Sequence, residues 1–121
     1  MRYLKFIVSF TIILLLFSYC TNDSAADLSE NNIEGNATYL LNAKSIFDNN
    51  CIMCHAATPV NGAPMSLTTY EQVKDAIIHR PLVDKISRPQ GAPGMMPNGG
   101  TRLPQASINM IIKWQQDGLL E

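Results

Sequence analysis

The segment NNCIMCHAATP, residues 49–59, sets two thiols three positions apart, Cys51 and Cys54, with the imidazole of His55 directly after the second. Sulfur and imidazole donors this close serve three kinds of chemistry. They can form half of a structural zinc site, a dithiol redox couple, or the covalent attachment of a prosthetic group whose metal the histidine coordinates. The three demand different surroundings, so the rest of the 121-residue chain has to choose among them.

Outward from the motif, residues 38–121 read as one small domain. From Thr38 onward there are seven Lys or Arg and six Asp or Glu, and the whole chain carries a formal net charge of −1. With no basic run, nothing points to a nucleic-acid partner. No apolar alternation lasts long enough to build a sheet, whereas four short helical stretches can be placed. The first, 38–49, has Leu40, Ala43 and Phe47 at helical spacing with Ile46 beside them. The second starts at LTTYEQ, where Thr68 with Glu71 or Thr69 with Gln72 fits a capping box, and Tyr70, Val73 and Ile77 form its buried stripe. Pro81 opens a third, short helix through Ile86. The segment SRPQGAPGMMPNGGTR, residues 87–102, holds three prolines and four glycines and must be a loop. The last helix runs from Pro104 to a cap at Gly118, with Ile108, Ile111, Ile112 and Trp114 on its apolar side.

The expected fold class is therefore all-α, four short helices and one long Pro/Gly loop. A domain of this size buries a modest share of its surface, so something besides the helices is expected to complete its core.

Upstream, MRYLKFIVSFTIILLLFSYC places Arg2 and Lys5 before an apolar run, Phe6 to Phe17, broken only by Ser9 and Thr11. That is the layout of a secretory signal peptide, and it is short against the ~20 apolar residues of a membrane span. Cys20 resembles the lipid-attachment cysteine of bacterial lipoproteins, although Tyr19 stands where that pattern usually has a small residue. Lipidation would also account for the third cysteine of an exported chain. The expected division is a signal peptide at 1–19, a lipidated Cys20 and flexible acidic tether at 20–37, and the domain at 38–121. Residues 21–36 hold four acids and no base, too polar to offset their ordering entropy, and their random-coil reach is roughly 20 to 25 Å. The domain is expected on the periplasmic or cell-surface side of a bacterial membrane, held there by its lipid.

A structural zinc ion takes four protein ligands, and beyond Cys51, Cys54 and His55 the domain offers only His79 and scattered carboxylates. A redox dithiol belongs at the start of a helix that follows a strand, but here the preceding segment reads as helix. Covalent haem fits best. Two thiols at this spacing reach the two vinyl groups of one porphyrin, the adjacent histidine coordinates its iron, and the apolar macrocycle extends the core. The sixth iron ligand is then expected in PGMMPNGG. Pro97 restricts the backbone of Met96 and leaves Met95 freer, which favours Met96, with Met95, and after it His79 or no protein ligand, as the alternatives. Met53, Met65 and Met110 read as packing residues and His79 as a solvated one.

The segments SIFDNNCIMCH, PMSLTTYEQV, MMPNGG and LPQASINMIIKWQQDG follow one another across nearly all of residues 38–121. In this order they resemble the small monohaem c-type cytochrome domain of class I. The resemblance implies the small cytochrome c fold around one covalent haem c, with thioether bonds to Cys51 and Cys54. It implies His55 and Met96 as iron ligands, Phe47 packed near the haem, and Trp114 packed near the haem or at the crossing with the N-terminal helix. A one-electron carrier follows, not an enzyme, working between membrane-bound redox proteins as donor and acceptor. The alternatives are a haem-based binder or sensor of a small ligand, and a haem subunit of a larger oxidoreductase.

Overall fold

The structure, a computed structural model, describes residues 35–121. The signal peptide, Cys20 and the tether as far as residue 34 lie outside the described residues. Within them the domain is helical and contains no strand; one parallel bridge joins Thr38 to Leu120.

Helix α1 opens with a wide π-type turn, Tyr39–Ala43, and continues as the α-helix Lys44–Asn50. Thr38 caps it, its hydroxyl accepting from the Leu41 N–H while the Asn42 side chain accepts from Thr38 N. The buried face is a row at four-residue spacing: Tyr39, Ala43 and Phe47. Leu40, expected on that face, is instead 62 % exposed, and Leu41 is 84 % exposed. The cause is the clasp with the C-terminal tail. Tyr39 N donates to the Leu120 carbonyl at 2.8 Å, which sets the rotation of the helix and turns Tyr39 inward.

Helix α2 is Tyr70–His79, with Thr69 at its N-cap. Of the two possible capping boxes, Thr69 with Gln72 forms. The Thr69 hydroxyl accepts from Gln72 N, and the Gln72 side chain returns one residue further, to the N–H and hydroxyl of Thr68. Val73, Ala76 and Ile77 are buried and Tyr70 is half-buried. Helix α3, Leu82–Ser87, and helix α4, Gln105–Gln116, each begin one residue after a proline that occupies the N-cap, Pro81 and Pro104. Gly118 ends α4 as expected. With φ at +93° its N–H reaches the Gln115 carbonyl while Leu119 N reaches that of Trp114, a double closure that satisfies the last turn.

The core gathers where α1, α2 and α4 meet. Trp114 is fully buried, its ring centroid 5.6 Å from that of Tyr39 and 6.3 Å from that of Tyr70. Its indole N–H donates to the Leu120 carbonyl at 2.7 Å, and the Tyr70 hydroxyl donates to Leu119. The Asp117 carboxylate accepts from Ala37 N at 2.6 Å and from the Lys113 ammonium. Ala37 is fully buried, so it belongs to the folded domain and not to the tether where the sequence pattern had placed it.

Trp114→Ala is expected to cost about 3–5 kcal/mol in a urea melt, since it removes the centre of the aromatic cluster. A second expectation concerns pH. The hydrogen bond from Lys113, and after it the one from Ala37 N, hold the Asp117 carboxyl below its ordinary range. A lowered acid contributes its stability in full above the ordinary carboxylate pKa, about 4, and loses it as pH falls through the lowered value. The melting-temperature gap between wild type and Asp117→Asn should be open at pH 7 and close on acidification.

Candidate cofactor site

Helix α1 delivers the motif. Beyond Cys51 at its C-cap the chain makes one more helical turn, in which Cys54 N and His55 N both donate to the Cys51 carbonyl, at 3.1 and 2.9 Å. Residues spaced by three and four share a face, so Cys51, Cys54 and His55 point the same way. All three line one cavity of about 490 Å³, within the range of roughly 300–1,000 Å³ typical of small-molecule sites. Phe47 lines it from the preceding turn of α1, and Leu82 and Ile86 of α3 line it from another element. Both cysteines are free thiols.

The buried His55 ring is held by a backbone carbonyl, its Nδ1 lying 2.8 Å from the Met65 oxygen. A carbonyl can only accept, so Nδ1 carries the proton and the lone pair sits on Nε2. This is how proteins orient an imidazole that binds a metal through its other nitrogen. The intervening loop is tied back on itself. Leu67 N donates to the His55 carbonyl, Val60 N to that of Cys54, and Asn61 and Gly62, both at positive φ, form a tight turn closed by Ala63 N on the Val60 oxygen.

The Pro/Gly loop separates the two candidate methionines. Met96 lines the cavity, and its N–H donates to the Lys85 carbonyl of α3 at 3.1 Å. Met95 is 5 % exposed but forms no part of the cavity wall. The loop itself is ordered by side chains. The Gln90 amide accepts from Arg102 N and donates to the Gly100 carbonyl, while the Arg102 guanidinium donates to the carbonyls of Arg88 and Leu103.

Trp114 sits at the crossing of α1 and α4 and does not line the cavity. Met110 packs against the core, but Met53 is 84 % exposed, because the turn that points Cys51 and Cys54 inward points the residue between them outward. His79 is exposed in the last turn of α2, away from the cavity. Met65, read as a packing residue, packs against the core and also lines the cavity, whereas sequence reasoning overlooked Arg80 and Lys85 as wall residues. For Lys85 a signal existed: Leu82, Lys85 and Ile86 share one helical face, and the apolar pair marks it as the inner one.

The electrostatics of Cys51 are those of an apolar site. Burial pushes the Cys51 thiol up to about 11, so near neutral pH it stays protonated. Among the described residues no three His, Cys, Asp or Glu side chains form a grouping that could hold a metal ion by themselves. No family model, curated protein or solved structure matches this chain.

In the folded chain with no cofactor bound, Cys51 should react with iodoacetamide at pH 8 roughly 100-fold more slowly than in urea, following the loss of thiolate. The rate should climb with pH until about 11. Peptide mapping by mass spectrometry measures it.

Proposed function

We propose that the domain is a small cytochrome c that holds one haem c and works as a one-electron carrier. The observation that carries this reading is the convergence of Cys51, Cys54, His55 and Met96, from two distant stretches of sequence, on a single largely apolar cavity. The rival chemistries fit the same residues poorly. Zinc would need a fourth ligand, and among the described residues no three His, Cys, Asp or Glu side chains are grouped to hold a metal ion, while a dithiol couple belongs at the start of a helix after a strand and here the pair follows a helix. Attachment as thioethers would leave both sulfurs uncharged, suited to an apolar wall.

When bound, the haem iron supplies the one-electron couple. The chain's own groups do the rest. Cys51 and Cys54 would hold the porphyrin, and His55, oriented by the Met65 carbonyl, would offer Nε2 to its iron. Met96, held to α3 through its N–H, would offer a thioether as second ligand, one that favours the reduced state. An iron held by two protein ligands would keep no site for a substrate, which supports a carrier over an enzyme. Export and a lipid at Cys20 would confine it to a bacterial membrane surface, where membrane-bound redox proteins serve as donor and acceptor. Such encounters bury little surface, less than ~1,200 Å² in total.

The test is the visible spectrum of the full chain made in a periplasm that attaches haem. Wild type should carry haem that acid acetone does not extract and should show the weak charge-transfer band of methionine on ferric iron. Met96→Ala should abolish that band and Met95→Ala should keep it. Extractable haem would overturn covalent attachment. A reduced spectrum that shifts on adding carbon monoxide to wild type would overturn the carrier in favour of a ligand binder.

A further inference from the structure

The clasp that turns Tyr39 inward turns its two successors to water. Leu40 and Leu41 stand exposed in the first turn of α1, off the buried row. Leu120 joins them from the tail, 40 % exposed. Leu119 before it is buried and takes φ +56°, a conformation rare for a bulky side chain. The backbone holds these leucines together: Tyr39 N donates to the Leu120 carbonyl, Leu40 N to that of Glu121, and Thr38 pairs with Leu120 in the bridge. Exposed leucines scattered singly mean little, whereas three held at one end of a domain form a patch.

The patch ends abruptly. Beyond Leu41 the outward residues of α1 are Lys44, Ser45, Asp48 and Asn49, so the helix has no apolar stripe on which to lie flat. Only its first turn can make an apolar contact. The charges beside that turn give no excess of cations: Lys44 pairs with Asp48, Lys113 with Asp117, and Glu121 adds an acid. Nothing there seeks an acidic lipid or an acidic partner.

The chain upstream says what meets the patch. The described residues begin at Gly35, and the apolar run Phe6 to Phe17 and Cys20 precede them. Leu40 follows Cys20 by twenty residues, a length that spans at most about 70 Å even when fully extended. With an anchor at or before Cys20 the patch never leaves the neighbourhood of a bilayer, and at such local concentration a small apolar area is enough for contact. We infer that Leu40, Leu41 and Leu120 rest in the interface of the bilayer that holds the anchor, so that the domain stands on the membrane by one end. The inference rests on the anchored reading above and needs no haem. It also sets an orientation. Cys51 lies about 18 Å further along α1, so the cavity is held off the lipid, at the height of proteins that project from the same membrane.

The experiment uses the full-length protein, purified from membranes and reconstituted in phosphatidylcholine vesicles that contain a diazirine phospholipid. After illumination, mass spectrometry maps the labelled residues. Labels are expected on Leu40, Leu41 and Leu120, and not on Met53 or Ile78, which are comparably exposed apolar side chains elsewhere on the surface. The pattern should be the same in low and high salt, because no charge carries it. Leu40→Ser with Leu41→Ser, both at exposed positions, should lower the labelling of Leu120 roughly tenfold. Labels spread evenly over Met53 and Ile78, a loss of labelling in high salt, or an unchanged Leu120 in the double variant overturns the contact. So does an unlabelled patch, whether the domain hangs free or a second copy covers it. A full-length chain that does not float with the vesicles overturns the anchored reading itself, a failure distinct from that of a chain that floats but is labelled elsewhere.

Discussion

One carbonyl closes the domain. The Leu120 oxygen accepts from the Tyr39 N–H at 2.8 Å and from the Trp114 indole at 2.7 Å, joining the start of α1, the aromatic centre of α4 and the C-terminal tail at one point. This clasp decides which way α1 is rotated. From Tyr39 the buried row continues at four-residue steps through Ala43 and Phe47, and the next step is the half-buried Cys51 at the helix end, so the aromatic cluster and the first motif thiol share one side of the helix. At 1.5 Å per residue, twelve residues carry that orientation over about 18 Å. The direction of the Cys51 thiol is thus settled at the far end of the helix that bears it.

The cavity side of the domain is built differently. Between α1 and α2 there is no regular element, and the loop is held by the pairing of His55 with Met65 and Leu67. Buried backbone polar groups need partners wherever helix and sheet do not provide them. Here the His55 ring meets part of that need, because its Nδ1 proton satisfies the Met65 carbonyl. One of these hydrogen bonds, from Nδ1 to the Met65 oxygen, therefore both helps to close the loop and selects the ring nitrogen left free. Local folding and ligand chemistry are, at this residue, one constraint.

Much of this was legible in the sequence, and the reasons for the exceptions are physical. Helix positions followed from apolar spacing, a capping threonine, prolines at two helix starts and Gly118 at the last helix end, since these act within one turn of chain. The motif thiols, His55, Phe47 and Met96 all reached one cavity because short spacing and proline geometry are local too. What failed was long-range. Leu40 and Tyr39 are both apolar neighbours at the start of a helix, and only contact with a tail some eighty residues on decides which is turned inward. Ala37 is too small and too plain to reveal that Asp117 captures its N–H. Lys85 looks like a solvated lysine until α3 is seen to lie along the cavity.

The order of the Pro/Gly loop bears on the choice between carrier and ligand binder. Its composition admits either a mobile or a fixed segment, and a mobile one would let Met96 leave an iron to make way for a gas. Two side chains oppose that. Gln90 and Arg102 between them bond to the loop's backbone at Gly100, Arg102, Arg88 and Leu103, and the Met96 N–H is tied to α3 through Lys85. To move Met96 away the chain would have to give up its bond to α3 and strain the side-chain ties on either side of it, each worth about 1 kcal/mol net and more where the guanidinium is the donor. In the haem reading, Met96 fixed in this way would keep the same coordination in both oxidation states, which would keep reorganisation on electron transfer small. The hydrogen bonds of the loop thus favour a domain that exchanges electrons over one that exchanges ligands.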